Sequence, residues 1–253
     1  MNVFIPAHGF SNRVERKHTR PFAGKSLTMW TVLQCMASKH VDHCYVSTDD
    51  DEVAEHVYRE GGEVIWRDYE QHPDDAGGVP TYHAIKDHPD YFYPYFLNLF
   101  VTSPLRPPDL IDRVIEAWED ADRPHALQAI GKQEETCLCM KTSAGYIMPF
   151  INKRGPWTNY THTTQVLSAE YFMNDYETSI RRNATSDTVA NAIGTDGLKA
   201  SEVVPRPYIE VPWWQCTEPD TPEDFEVCEV LMETLILKGR GEEVYEEYKA
   251  SWQ

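Results

Sequence analysis

Long apolar runs are missing from this sequence, and so is a charged, then apolar, then small-residue leader at its start. The first absence excludes a membrane-spanning helix, and the two together predict a cytoplasmic protein. Basic residues are scarce: 23 lysines and arginines stand against 41 acids, a formal charge of −18. A field of that sign repels nucleic acid and anionic membrane, so neither is an expected partner. The cysteines are scattered, at Cys35, Cys44, Cys137, Cys139, Cys216 and Cys228, without the paired short spacings of a zinc site, and read as buried thiols. Neither of the usual glycine-rich phosphate-loop patterns occurs, and there are no internal repeats or low-complexity tracts.

What the 253 residues do contain is an alternation of short apolar runs with amphipathic stretches of helical length. Strands are predicted at 2–6, 43–47, 63–66, 95–101 and 125–130, and helices at 26–38, 50–60, 79–87 and 107–120. That alternation implies one α/β domain over 1–253, built on a mostly parallel sheet with helices on both faces. Ligands of such sheets sit beyond the carboxyl ends of the strands, which directs attention to the loops after Ile5, Ser47 and Val101. Residues 136–175 break the pattern: they are strand-rich and irregular, and a segment of that length suits a lid or a dimerisation arm. Thr221, Pro222, Glu223 and Asp224 supply an N-cap, a first-turn proline and first-turn acids for a helix reaching about residue 238.

The local exception to the acidity is IPAHGFSNRVERKHTRPFAGKSL, where Arg13, Arg16, Lys17, Arg20 and Lys25 face the single acid Glu15. A basic cluster in an acidic chain fits a small polyanion. Gly9, Ser11 and Asn12 permit tight turns and backbone N–H donation, while Arg13 and Lys17 can meet phosphate as a fork and a point charge. In VSTDDDEVAEH, Ser47 stands where a strand ends, and Asp50 or Asp51 caps the following helix. In FVTSPLRPPDL, Thr102 and Ser103 offer hydroxyls, and Arg106 either meets a ligand or pairs with an acid of the next helix. In CTEPDTPEDFE, Glu218 and Asp220 alternate, so an extended backbone would aim both carboxylates one way. Two such oxygens suit Mg²⁺, unless Asp220 serves only to cap the helix. Asp75 is a weaker acidic candidate, and Trp213 and Trp214 read as packing.

These four stretches, in this order and at these distances, are similar to the motifs of the CMP-sialic acid synthetases, the cytidylyltransferases that activate N-acylneuraminate and related nonulosonic acids. The resemblance runs from about residue 2 to 230 and is loose over 136–175. It implies a Rossmann-like nucleotidyltransferase that joins CMP from CTP to the anomeric hydroxyl of an acidic keto-sugar, releases pyrophosphate and works as a homodimer. Carried over by position, Ala7, His8, Gly9, Ser11, Asn12, Arg13, Lys17 and Ser47 would hold the nucleotide, and Glu218 and Asp220 would ligate Mg²⁺. Phe100, Thr102, Ser103, Arg106 and Gln165 would face the acceptor, with Arg13, Lys17 and Asp220 as the catalytic set. The chain departs from the family at His8, Asn12, Phe10, Phe100 and Glu218, where arginine, lysine, glycine, glutamine and aspartate are usual. Those departures leave open another acidic acceptor such as a phosphonate, or a nucleotide-binding relative that has lost catalysis.

Overall fold

The computed structural model describes residues 1–11, 13–67, 78–133, 138–141, 147–151, 157–181 and 207–252. Strand β1 (Val3–Pro6) leads through a two-stranded ribbon, β2 (Pro21–Phe22) and β3 (Lys25–Ser26), into α1 (Leu27–Met36). Then come β4 (Cys44–Thr48), α2 (Asp51–Arg59), β5 (Glu63–Trp66), α3 (Val79–Asp87), α4 (Pro89–Phe92), β6 (Tyr95–Asn98) and α5 (Leu110–Asp120). Four strands follow, β7 (Ala126–Gln133), β8 (Leu138–Lys141), β9 (Ile147–Ile151) and β10 (Trp157–Ser168), and after them α6 (Ala169–Arg181). The last elements are β11 (Tyr208–Pro212), α7 (Pro222–Leu231) and α8 (Glu243–Ala250).

Seven strands form one sheet in the order β11-β7-β10-β6-β1-β4-β5. Every neighbouring pair is parallel except those made by β10, which runs antiparallel between β6 and β7. The central strands read as continuous apolar runs because both faces are covered. Val3, Ile5, Val46, Leu97 and Val166 point to one face, where they pack with Trp30 of α1, Val114 of α5 and Phe225 of α7. Phe4, Tyr45, Phe96 and Leu167 point to the other, against Ile85 of α3, Phe92 of α4 and Phe172 of α6. From α8 the buried Tyr245 reaches back into the first layer: its hydroxyl donates to the Arg106 carbonyl and accepts from Gln34 Nε2 at 3.1 Å.

The helix starts match the capping residues read from the sequence. Asp50 accepts from Val53 N–H at 2.9 Å, and Thr221 and Asp224 close a reciprocal capping box ahead of Pro222. Three expectations change. Strand β6 stops at Asn98 rather than at residue 101, because residues 100–106 turn on themselves through Ser103 N–H to Phe100 O and Arg106 N–H to Pro104 O. The helix expected to reach residue 238 is α-helical to Leu231, then π-helical over Met232–Leu237, and ends on Lys238 at φ 52° with Gly239 behind it. The irregular segment at 136–175 is narrower than expected: the inner half of β10 belongs to the main sheet, and Ala169 already starts α6.

Candidate active site

The first loop leaves the sheet between β1 and β4, where Ala7 N–H bonds the Ser47 carbonyl at 2.9 Å. Gly9 N–H donates to Asp49 Oδ1 at 3.0 Å, and a Cβ on Gly9 would collide with the Asp50 side chain. Glycine is required there by close approach. The loop then coils over buried Val14, with Lys17 N–H on Val14 O and Arg20 N–H on Arg16 O.

His18 closes it. The His18 Nδ1 lies 2.8 Å from the His8 carbonyl oxygen, and since a carbonyl only accepts, Nδ1 carries the proton. Thr28 secures the other side, its N–H and hydroxyl both donating to the His18 carbonyl. Burial, followed by the charge of His8, lowers His18 from 6.5 to about 4, so the ring is neutral at pH 7. The unfolded chain binds this proton below pH 6.5 and the folded chain does not, so stability falls as the pH drops from 6.5 towards 4. A shift of this size corresponds to about 3 kcal/mol. Denaturant unfolding at pH 7 and at pH 4.5 checks this: the acid loss is expected to shrink in His18→Asn, whose amide can still donate to His8 but cannot be protonated.

The basic cluster divides once it is folded. Lys17 Nζ and Arg13 Nη2 converge on Asp220 Oδ1, at 3.2 and 3.0 Å. Lys17 is buried to 7% exposure, whereas the Arg13 side chain is largely in solvent. Arg16 pairs with Glu52, Arg20 lies 4.7 Å over the Phe225 ring, and Lys25 bridges Glu60 and Glu242 at 2.8 and 2.7 Å. Arg16 thus pairs with α2 and not with Asp220.

Glu218 sits beside this pair with its Oε1 accepting from Ser103 Oγ at 2.9 Å. Burial raises its carboxyl above the usual range, Ser103 opposes that rise, and the Asp220 charge adds to it. The extended alternation expected of the two acids is instead a tight turn, with Asp220 N–H on Glu218 O at 2.9 Å. Asp220 does not cap α7, since Thr221 does. A buried carboxylate with the charge of a second one acting on it is a donor set of the kind a hard cation relieves. Among the described residues no group of three or more His, Cys, Asp or Glu could form a cage of its own.

The remaining candidates fall in different places. Arg106, expected to face the acceptor or an acid of the next helix, does neither: it is fully buried, and burial lowers its guanidinium to about 10. Its Nε donates to Thr164 Oγ1, Nη1 to Gln34 Oε1 and Nη2 to the Phe100 carbonyl, so it braces the TSPLR turn from inside. Ser47 is buried within β4 opposite Pro6. Phe100 and Thr102 are half-buried on the turn that carries Ser103, and Gln165 is half-buried on β10 opposite Asn98. His8 and Ser11 are half-buried in the first loop, while Asn12 and Asp75 lie outside the described residues. Trp213 and Trp214 begin a short 3₁₀ turn packed closely on Gly131.

Sequence reasoning missed Asp49 and His18, which hold the first loop in shape. It missed Asn98 too, although a polar residue inside YFLNLF was a visible signal.

The mostly parallel sheet, with motif loops gathered at the carboxyl ends of β1 and β6, defines an α/β nucleotidyltransferase fold. The chain matches the cytidylyltransferase family over residues 2–174 and belongs to it. It is similar to the 8-amino-3,8-dideoxy-manno-octulosonate cytidylyltransferase of Shewanella frigidimarina, 22% identical over 91% of this chain and 97% of that protein. It is also similar to the CMP-N,N'-diacetyllegionaminic acid synthase of Legionella pneumophila, 32% identical over 44% of this chain and 50% of that one. A third relative is the pseudaminic acid cytidylyltransferase of Campylobacter jejuni, 28% identical over 45% of this chain and 51% of the relative. The chain thus spans about half the length of the legionaminic and pseudaminic relatives it matches.

A solved CMP:2-keto-3-deoxy-manno-octonic acid synthetase complexed with CTP superposes with a TM-score of 0.68 at 16% identity, covering 92% of this chain and 98% of that one. A 4-diphosphocytidyl-2C-methyl-D-erythritol synthase from Anaerococcus prevotii superposes at 0.61 and 12% identity, covering 92% and 95%. These structures share the fold. No helix among the described residues is long and apolar enough to cross a membrane.

Proposed function

We propose that this chain transfers CMP from CTP to a nonulosonic-acid-type keto-sugar, sialic acid or a relative, and releases pyrophosphate. The observation that carries the reading is the meeting of Lys17 and Arg13 on Asp220, beside Glu218, at the carboxyl end of a cytidylyltransferase sheet. In such a transfer the acceptor hydroxyl forms a bond to the α-phosphorus while the bond to the leaving pyrophosphate breaks. The protein's task is to position the two reactants and neutralise charge on the departing group.

Lys17 is suited to that because its ammonium is buried, where a fixed charge acts most strongly. Arg13, in solvent, can swing from Asp220 onto phosphate oxygens and close over the nucleotide. Ser103 fixes the direction of the Glu218 carboxylate, and the tight turn at 218–220 keeps Asp220 next to it. Glu218 and Asp220 would hold Mg²⁺, which when bound supplies further neutralisation of phosphate charge. Gly9 keeps the loop backbone within reach of the nucleotide while Asp49 holds its N–H.

A cytoplasmic location agrees with an acidic chain acting on small soluble substrates. A homodimer agrees with the β8–β9 ribbon, which lies between β7 and β10 in the chain and among the described residues forms a two-stranded sheet of its own. The decisive test is a screen of nucleotides against acceptors, with and without Mg²⁺, scored by pyrophosphate release. Turnover is expected only with CTP, a nonulosonic acid and Mg²⁺ together. Turnover of a phosphonate in place of every keto-sugar, or CTP binding without turnover of anything, would overturn the reading.

A further inference from the structure

Gln165 on β10 lies directly opposite Asn98, at the end of β6, and opposite Gln128 on β7. Opposed residues on adjacent strands share a face. Phe96, Ala126 and Leu167, two positions away on each strand, belong to the α3–α6 side of the core, whereas Leu97, Leu127 and Val166 belong to the other side. Three primary amides therefore stand in one row across three neighbouring strands. The row marks a step in the sheet: β6 stops there, while β7 and β10 run on, still paired, to Gln133 and Trp157. Just beyond it the chain turns through Phe100 and Thr102 to Ser103, the residue that holds Glu218.

The β6 end of the row is chemically incomplete. Asn98 is 3% exposed, and its Oδ1 has no hydrogen-bond donor among the described residues. An orphaned buried acceptor lowers stability, and an apolar side chain of similar shape would remove that cost. A lone pair in that position asks for an O–H or N–H. It repels a carboxylate, which brings only lone pairs, and neutral amides offer an anion no compensating charge.

We propose that this amide row is the surface that selects the acceptor, and that it takes hold of hydroxyl or acylamino groups rather than the acid end. Each amide carries both donors and an acceptor, which matches a polyhydroxylated, N-acylated chain. The inference rests on the cytidylyltransferase reading and adds to it which part of the substrate is read, and by which residues.

The test compares Asn98→Leu, Gln165→Met and Gln128→Met with the unaltered chain in steady-state pyrophosphate release. The acceptor that the chain turns over and CTP are varied separately, and thermal unfolding is followed alongside. Expected is a rise in acceptor KM of about tenfold or more in Asn98→Leu, Gln165→Met and Gln128→Met, with the KM for CTP unmoved and the unfolding temperature of Asn98→Leu unchanged or higher. Preference for that acceptor over an analogue lacking one hydroxyl or acylamino group should collapse in the same variants. A folded Asn98→Leu and Gln165→Met that keep the acceptor KM and the preference overturn the row while leaving the proposed function standing. An unaltered chain that turns over no keto-sugar overturns both. Should Asn98→Leu fail to fold, the two half-buried glutamines carry the test alone.

Discussion

Asp220→Ala is expected to lower pyrophosphate release by about 10²–10³-fold, the usual cost of losing one fixed electrostatic partner at a transition state, while CTP binding survives. Asp220 is the common partner of Arg13 and Lys17. Without it both cations are released to attract the triphosphate, so affinity for CTP is held or improved. What is lost is the anchor that places the Lys17 ammonium and one of the two carboxylates available to a divalent cation. Single-turnover pyrophosphate release and calorimetric CTP titration separate the two quantities. A variant within tenfold of the unaltered rate would remove Asp220 from the reaction.

Arg106→Leu is expected to act on stability instead. The change removes three hydrogen bonds made by one buried guanidinium: Gln34 Oε1 and Thr164 Oγ1 each lose that donor, and the Phe100 carbonyl keeps only the Ser103 N–H. A hydrogen bond to a charged group contributes about 1.5–3 kcal/mol, so a total of roughly 3 kcal/mol or more follows. For a chain of this length that is a fall in melting temperature of around 10 °C. Thermal unfolding followed by circular dichroism measures it, and acceptor KM at a temperature where the variant is folded supplies the contrast. An unchanged melting point with lost acceptor binding would return Arg106 to the ligand.

Local signals in the sequence were enough for the frame. The apolar alternation located the strands of the parallel half, and the capping residues at Asp50 and Thr221 marked helix starts that the structure keeps. The four motifs lie on loops that come together at one end of the sheet. What escaped was which partner each distant side chain would take. Nothing near Arg16 or Lys25 in the chain says that Glu52, or Glu60 and Glu242, will claim them, leaving Lys17 and Arg13 with Asp220. The antiparallel entry of β10 between β6 and β7 was hidden for the same reason, and with it the row that joins Asn98, Gln165 and Gln128. The tight turn at 218–220 overrode a reading based on extended geometry alone.

The bond between Gln34 and Tyr245 spans 211 positions, and the same tyrosine holds the carbonyl of Arg106. During synthesis at roughly 5–20 residues per second, α1 leaves the ribosome on the order of ten seconds before α8 can reach it. Until then Gln34 and the backbone behind TSPLR lack a partner that the finished core supplies. Synthesis therefore passes through a stage in which the first strands and helices have been made but the contact that locks them from α8 has not.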